Sequence, residues 1–505
     1  MKNKNMVNKI ISRVLPRLGE ILFAAIFAAV IGLGPRLMNV DGDLGRHITM
    51  GEAILDTGHV PTKDIFSFTK YGDALTPHEW LSDVIFAAAY RAAGLNGVVW
   101  LTALVLAVSY WLVYRHSLQL SNLSLLALAG GLLCAAAGSI HWLTRPHIFT
   151  IMLTALWTME LDRLRLGLRR NWLIFPLIML LWVNLHGAFL SGFVIWLAFV
   201  VGILIDRDRR EGLLTNMLVV GPASFLVSLA NPAGFDIWKT GFGFLGNHYL
   251  VSHTAEYLPP DFQNPSFWPF LGVVIVSIVI LGFSRIRLNS AYLLLVGGWT
   301  SLALYSARNI PLYLVVVIPI LCGQMAPLIL GSQRSSLTSR MIGFQEKFAR
   351  TESEIKGGLL GFGIVLAALV LLIGGRSLDF QRQGNQFNPE SFPVEAVDWY
   401  QEQPPEGQGF NYFPWGGYLL FRLWPENLVF IDGQTDFYGE ELTREYEKVI
   451  TLQPGWMDVL DQYGVGWVLM PTDSQLASFL ETDPGWLVLY RDGTASLIQR
   501  RSTRQ

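Results

Sequence analysis

Eleven long apolar stretches recur along this chain, and they decide what it can fold into before any motif is considered. They run approximately 18–38, 94–114, 123–140, 147–161, 172–186, 188–205, 213–230, 267–284, 289–306, 310–330 and 357–375. A hydrocarbon core about 30 Å thick takes about 20 apolar residues as a helix. Most of the stretches are therefore candidate spans; the fourth to sixth are short enough to be tilted or re-entrant. Composition agrees: of 505 residues, 15% are charged and 52% hydrophobic, against about 25% charged in an ordinary soluble protein. Such a surface suits neither a soluble globule nor a disordered chain. A net charge of −2 leaves no electrostatic footprint for nucleic acid. Cys134 and Cys322 both lie in apolar runs, which argues against a disulfide framework and a cysteine metal site. The expected fold is an α-helical polytopic membrane protein with about 11 transmembrane helices.

Basic residues orient it. With the N-terminus in the cytoplasm, the inner segments 1–17, 115–122, 162–171, 206–212, 285–288 and 331–356 carry 20 Lys and Arg, whereas the outer segments before residue 376 carry 8. Excess positive charge marks the cytoplasmic side, so the expectation is a multi-pass membrane protein with its N-terminus in the cytoplasm. The first stretch follows a basic tail and lacks a small-residue cleavage site, so it reads as an anchor that stays. An odd number of spans places residues 376–505 outside.

The outer loops hold the unusual residues, and eight of the nine histidines fall there. The first, about 39–93, contains Asp41, Asp43, Arg46, His47, His78 and Glu79; later turns bring Arg145 and His147, Asn184 and His186, Glu256, and Arg308. Ionisable groups at membrane depth are costly and normally face a cavity or one another. Five loops delivering such groups to one face predict one shared polar site; the bland alternative is capping of helix ends at the headgroups. Within the first loop, apolar residues at helical spacing predict a helix from Leu44 to Asp56, stopped by Gly58, and a second, interfacial helix over Leu81–Tyr90.

These residues also carry a resemblance. The stretch Asp41-Gly-Asp43-Leu-Gly-Arg46-His47, running on to Gly58 and Pro61, is similar to a motif in a bacterial branch of the GT-C glycosyltransferases, polytopic enzymes that use polyprenyl-phosphate-linked sugars. His78-Glu79-Trp80, Arg145-Pro146, Asn184-Leu-His186-Gly187 and Asn231-Pro232 look like that branch too. The sequence departs from it at Gly42, Gly45 and Arg46, where Pro and two Trp are usual. Asp43 is the better match to the catalytic aspartate of the lipid-A aminoarabinose transferases, and Asp41 is the second choice.

The resemblance implies sugar transfer at the outer face from a polyprenyl-phosphate donor to a glycan, lipid or protein acceptor, with inversion and with Asp43 as general base. A phosphate leaving group attracts cations, and a planar guanidinium grips two of its oxygens. Arg145 and Arg308 are the candidates for that role, and Arg46 is a third possible phosphate contact. His47, His78, Glu79, His147, Asn184, His186 and Glu256 complete the expected substrate-binding set. A divalent cation, Mg or Mn, is an option because some GT-C members use one, but no ligand spacing here fixes a metal. The competing readings are a lipid or glycan transporter or flippase, and a non-catalytic membrane assembly protein.

Residues 376–505 change character. Strands are expected at Phe410–Phe413, Leu428–Ile431, Gly466–Met470, Leu487–Tyr490 and Ser496–Gln499, with helices near 394–402, 415–423, 440–450, 455–462 and 473–481. Alternating segments predict a C-terminal extracytoplasmic α/β domain following a membrane domain over 1–375. Asp432 and Asp436 follow a strand, where α/β sites form, but Asp-Gly also favours a bend, and turn chemistry is the reading preferred here.

Overall fold

A computed structural model describes residues 15–501, except 170, 209, 285 and 332–335. Most of the basic N-terminal tail and part of the expected inner segment 331–356 lie outside the described residues. A helix occupies each of the eleven apolar stretches: Leu18–Gly32, the second part of Trp80–Ser121, Ser124–Gly138, His147–Arg165, Ile174–Leu185, Leu190–Asp206, Leu213–Ser228, Trp268–Phe283, Ser290–Tyr305, Ile310–Gly331 and Leu359–Ile373. Five helical segments, Trp80–Ser121, Ser124–His141, Gly187–Asp206, Pro265–Phe283 and Ala307–Gly331, are long and apolar enough to cross a membrane. Five further apolar helices are shorter, at 10–17 residues.

Inside a bilayer, burial of apolar area gives helices little reason to associate, so close packing and interhelical hydrogen bonds must hold them. The largest buried side chains show both. Trp157 and Trp182 are fully buried with rings edge to face, centroids 6.2 Å apart. Their indole N–H groups donate to the Gly192 carbonyl and to Thr150 Oγ1, each at 2.8 Å. At the opposite end of the same helix, buried Asp162 accepts from Tyr292 Oη at 2.9 Å and pairs with Arg165 at 2.7 Å and His116 at 3.2 Å. His116, the one histidine away from the outer loops, is thereby a structural tie.

The first outer loop folds as its periodicity predicts. A helix runs Asp43–Thr57 and ends at Gly58. The next begins at Trp80 and is broken at Ala93 and Gly94, where Gly94 has φ +58°; the break separates the interfacial piece from the span that follows. Residues 376–501 build a mixed four-stranded sheet from β1 (Gln408–Asn411), β2 (Val465–Pro471), β3 (Trp486–Arg491) and β4 (Ala495–Arg500), in the order β1-β2-β4-β3. β1 and β2 are parallel, with Phe410 opposite Val468, and the helices Gly416–Leu423, Thr435–Ile450 and Trp456–Gln462 make the crossover a parallel pair requires. β4 lies antiparallel to both β2 and β3.

Leu428–Ile431 is extended but belongs to no strand of that sheet, which corrects the expectation from its sequence. Its backbone bonds go elsewhere. Val429 N–H donates to the Phe66 carbonyl at 3.0 Å, and Val429 O accepts from Phe68 N–H at 3.1 Å. The Asn411 side chain takes the Phe430 N–H and donates to the Ile431 carbonyl, both at 2.9 Å. The first outer loop and the tail are thus hydrogen-bonded together, and Trp415, Tyr418 and Leu420 of the tail share one buried core with the membrane helices. The start of the helix Asp43–Thr57 lies against tail backbone. A Cβ on Gly42 would sit 1.7 Å from the Pro414 carbonyl oxygen, and one on Gly45 2.3 Å from that of Gly417. Larger residues at these two positions have no room, which accounts for the departure from the GT-C motif there.

Candidate active site

A cavity of about 450 Å³ opens where the first loop, the tail and the ends of several helices meet. Ten of the twelve residues expected at a shared site line it: Asp43, Arg46, His47, His78, Glu79, Arg145, His147, His186, Glu256 and Arg308. Apolar residues, among them Leu190, Val194, Phe244, Leu245, Leu302 and Tyr305, line it as well. Val194, Leu245 and Tyr305 are also largely exposed, so the apolar lining reaches the protein surface.

Asp43 is the first residue of its helix, held in place by Asp41, whose Oδ1 accepts the Asp43 N–H at 2.9 Å. Arg145 joins both: Nη1 is 2.5 Å from Asp41 Oδ2, and Nη2 is 2.7 Å from Asp43 Oδ2. Nη1 also lies 3.4 Å from Glu256 Oε1. Arg145, expected at a donor phosphate, is instead committed to carboxylates. Arg308 is less engaged: it donates to Tyr257 Oη at 2.9 Å, lies over that ring at 4.9 Å, and keeps a long contact of 3.7 Å to Glu256. Asp43 Oδ1 has no hydrogen-bond partner among the described residues; it abuts Gly433 of the tail, where a Cβ would fall 1.7 Å from it.

Three histidines surround Glu79. His186 Nε2 is 3.4 Å from Oε1, while His78 Nε2 and His47 Nδ1 are 3.8 and 4.0 Å from Oε2. His186 Nδ1 accepts the Ala188 N–H at 3.2 Å and lies 2.9 Å from Thr150 Oγ1, while Nε2 lies between Glu79 and Arg308 Nη2, the latter at 3.5 Å. His47 is fixed by Asp83 at 2.7 Å, and His147 Nε2 donates to the His141 carbonyl at 2.8 Å. Arg46 lines the cavity but is tied to the tail: Nε is 3.3 Å from Asp432 Oδ2 and Nη2 donates to Gln434. It is an anchor to the tail rather than a free phosphate ligand. Asn184 does not reach the cavity. Its Oδ1 accepts from the Trp80 indole at 2.7 Å and its Nδ2 donates to the Ala230 carbonyl at 3.0 Å, so it braces the base of the site by satisfying a helix end.

Burial pushes the Asp43 carboxyl up to about 6; Arg145 opposes the shift and Asp41 reinforces it. Burial would also raise Glu79, but its cationic neighbours, His78 foremost, with His47 and Arg145, outweigh it and hold the carboxyl down at about 2. Glu256 is likewise lowered, by Arg308 and Arg145 against its own burial. Burial drives His186 well below the usual imidazole range, so its ring is neutral. Glu79 and Glu256 are thus held as anions, whereas burial makes the Asp43 carboxyl the weakest acid of the three.

Sequence reasoning weighed the tail residues and preferred turn chemistry. Asp432 does make that turn, with Oδ1 accepting the Gln434 N–H at 2.9 Å, yet its Oδ2 holds Arg46. Asp436 lies 3.7 Å from His78 and lines the cavity together with Gly433, Gln434 and Thr435. Tyr257 and Thr150 were missed altogether; neither belongs to a motif, and only the fold brings them to the site.

No protein-family model matches the sequence, and no curated protein matches it. Solved structures do. The archaeal oligosaccharyltransferase AglB from Archaeoglobus fulgidus, in complex with an inhibitory peptide and a dolichol-phosphate, matches with a TM-score of 0.59 at 12% identity, over 90% of this chain and 69% of that chain. The Archaeoglobus fulgidus oligosaccharyltransferase in complex with Zn and sulfate gives 0.53 at 12% identity, over 90% and 68%. The chain has the GT-C fold. ArnT from Cupriavidus metallidurans, bound to undecaprenyl phosphate, gives 0.46 at 15% identity, over 96% of this chain and 98% of that one. No group of three or more His, Cys, Asp or Glu among the described residues is arranged to hold a metal ion. The carboxylates best placed for one, Asp41, Asp43 and Glu256, close on the Arg145 guanidinium instead. The residues present do not fit a divalent cation in this arrangement.

Proposed function

We propose that this chain is a glycosyltransferase of the inner membrane that moves a sugar from a polyprenyl-phosphate donor to an acceptor on the outer face, with Asp43 as general base. The observation that carries the reading is the composition of one cavity: a carboxyl raised to about 6 by burial, a guanidinium with capacity to spare, and an apolar lining that reaches the protein surface. The isoprenoid tail lies along Val194, Leu302 and Tyr305, with its phosphate at Arg308. An acceptor hydroxyl or amine gives its proton to Asp43 as its oxygen or nitrogen bonds to the anomeric carbon. The bond from that carbon to the phosphate oxygen breaks on the far side, inverting the centre, and the phosphate leaves with the electron pair, stabilised by Arg308. The ionisable groups of the cavity gather at one end of the helices and on the tail, which supports transfer at one face over transport across the membrane.

Titration of purified protein with undecaprenyl phosphate, followed by tryptophan fluorescence, tests the donor site. A hydrogen bond to a charged group contributes about 1.5–3 kcal/mol, so Arg308→Ala is expected to weaken binding about 10- to 150-fold. Absence of binding by the wild-type protein would remove the basis for a polyprenyl donor. The acidity of Asp43 makes a second expectation. Its carboxylate form is needed, so kcat/KM for transfer falls about tenfold per pH unit below about 6 and is flat above. Activity that does not decline between pH 7 and 5 rules out this group as the base.

A further inference from the structure

We propose that Arg145 is the resident cation of this site: its guanidinium stands at the point where Asp41, Asp43 and Glu256 converge and serves there in place of a divalent metal ion. Three carboxylates reach it from two outer loops far apart in the sequence, at 2.5, 2.7 and 3.4 Å. Asp41 and Asp43 are two residues apart and only 20% and 16% exposed, so without a counter-charge they would repel in a poorly solvated place. Two of the three sit on separate nitrogens of the guanidinium fork, an arrangement that fixes direction as well as charge. A divalent ion draws its oxygens to about 2.0–2.6 Å, and the space for it is filled here by N–H groups that carry their own charge. Unlike a metal, a guanidinium is neither lost nor exchanged, and it stays protonated at any physiological pH.

The position of Arg145 is built by the chain. It precedes Pro146, which disfavours helical backbone and so keeps Arg145 out of the helix His147–Arg165. Thr144 N–H donates to the Leu37 carbonyl at 3.4 Å, which ties the same turn to the segment leading into Asp41. Arg145 is a positioning residue: it acts through Asp43, holding one carboxylate oxygen and leaving Oδ1 for a proton. The inference rests on the reading of the cavity as the transfer site, but its test measures metal binding, so either can fail alone.

The experiment titrates full-length, detergent-purified protein with Mn²⁺ and follows the free ion by electron paramagnetic resonance. Wild type is expected to show no site that Asp43→Asn removes. Arg145→Ala and Arg145→Gln empty the guanidinium position and are expected to bind one Mn²⁺ per chain at least tenfold more tightly than wild type; adding Asp43→Asn abolishes that gain. Arg145→Lys, which restores a cation, is expected to behave as wild type. If the neutral variants fold poorly, Mn²⁺ and not Na⁺ should raise their melting temperature. An Asp43-dependent Mn²⁺ site in the wild type overturns the inference. So does the absence of both gained affinity and Mn²⁺ rescue in the neutral variants.

Discussion

Asp43→Asn is expected to lower the rate of sugar transfer at least about 100-fold, the minimum that general-base assistance contributes, while leaving affinity for polyprenyl phosphate unchanged. The substitution is close to isosteric. Its amide oxygen can still accept from Arg145 Nη2, and the helix still begins at this residue, so the loss isolates the proton-accepting function. The same change at Asp41 is expected to cost less. Asp41 supports its neighbour through the Asp43 N–H and through Arg145, but it lies outside the cavity wall. The two variants are compared by single-turnover transfer rates, with donor binding measured in parallel. Equal, small losses in both would mean that the carboxylates share a structural role and that the base lies elsewhere.

Gly433→Ala is expected to produce a loss of similar size by a different route. The tail presents Gly433 to Asp43 so closely that the three nearest atoms to an added Cβ are Asp43 Oδ1, Cγ and Oδ2, at 1.7, 2.6 and 3.0 Å. Asp is short and its carboxylate is tied to Arg145, so a methyl group there must push the reactive group from its place. Misplacing a catalytic group by about 1 Å costs about 100-fold. No backbone atom is among the three nearest, so the variant should fold and melt close to wild type. Gly493→Ala, in the β3–β4 turn with nothing near its Cβ, is the matched control in the tail and should be neutral. An active Gly433→Ala protein would mean that the tail does not bear on the reacting carboxylate.

How much of this was legible in the sequence depended on distance along the chain. The eleven apolar stretches and the helix closed by Gly58 are local features, and each was visible from composition and period. Convergence of His, Arg and carboxylates was also visible, because cost at membrane depth leaves such groups few places to go. Partner choice was not. Arg145 and Arg46 both read as cations available to a phosphate, and each turned out to have a carboxylate partner, Arg46 over 380 residues away. Leu428–Ile431 has the composition of a strand, but its backbone pairs with Phe66 and Phe68 across the molecule. Gly42 and Gly45 read only as departures from the motif, where Pro and Trp are usual; they are clearance for the tail. Each of these depends on a long-range approach of backbone that no local pattern encodes.

The central claim is that the outer cavity transfers sugar from a polyprenyl phosphate to an acceptor nucleophile through Asp43. It is tested most directly with purified protein in proteoliposomes, given a panel of polyprenyl-phosphate sugars and membrane extract as acceptor, with released polyprenyl phosphate and labelled product both measured. The account predicts that one donor is consumed by wild type, with product of inverted anomeric configuration, and that Asp43→Asn binds that donor but does not turn it over. Turnover by Asp43→Asn at the wild-type rate would contradict it.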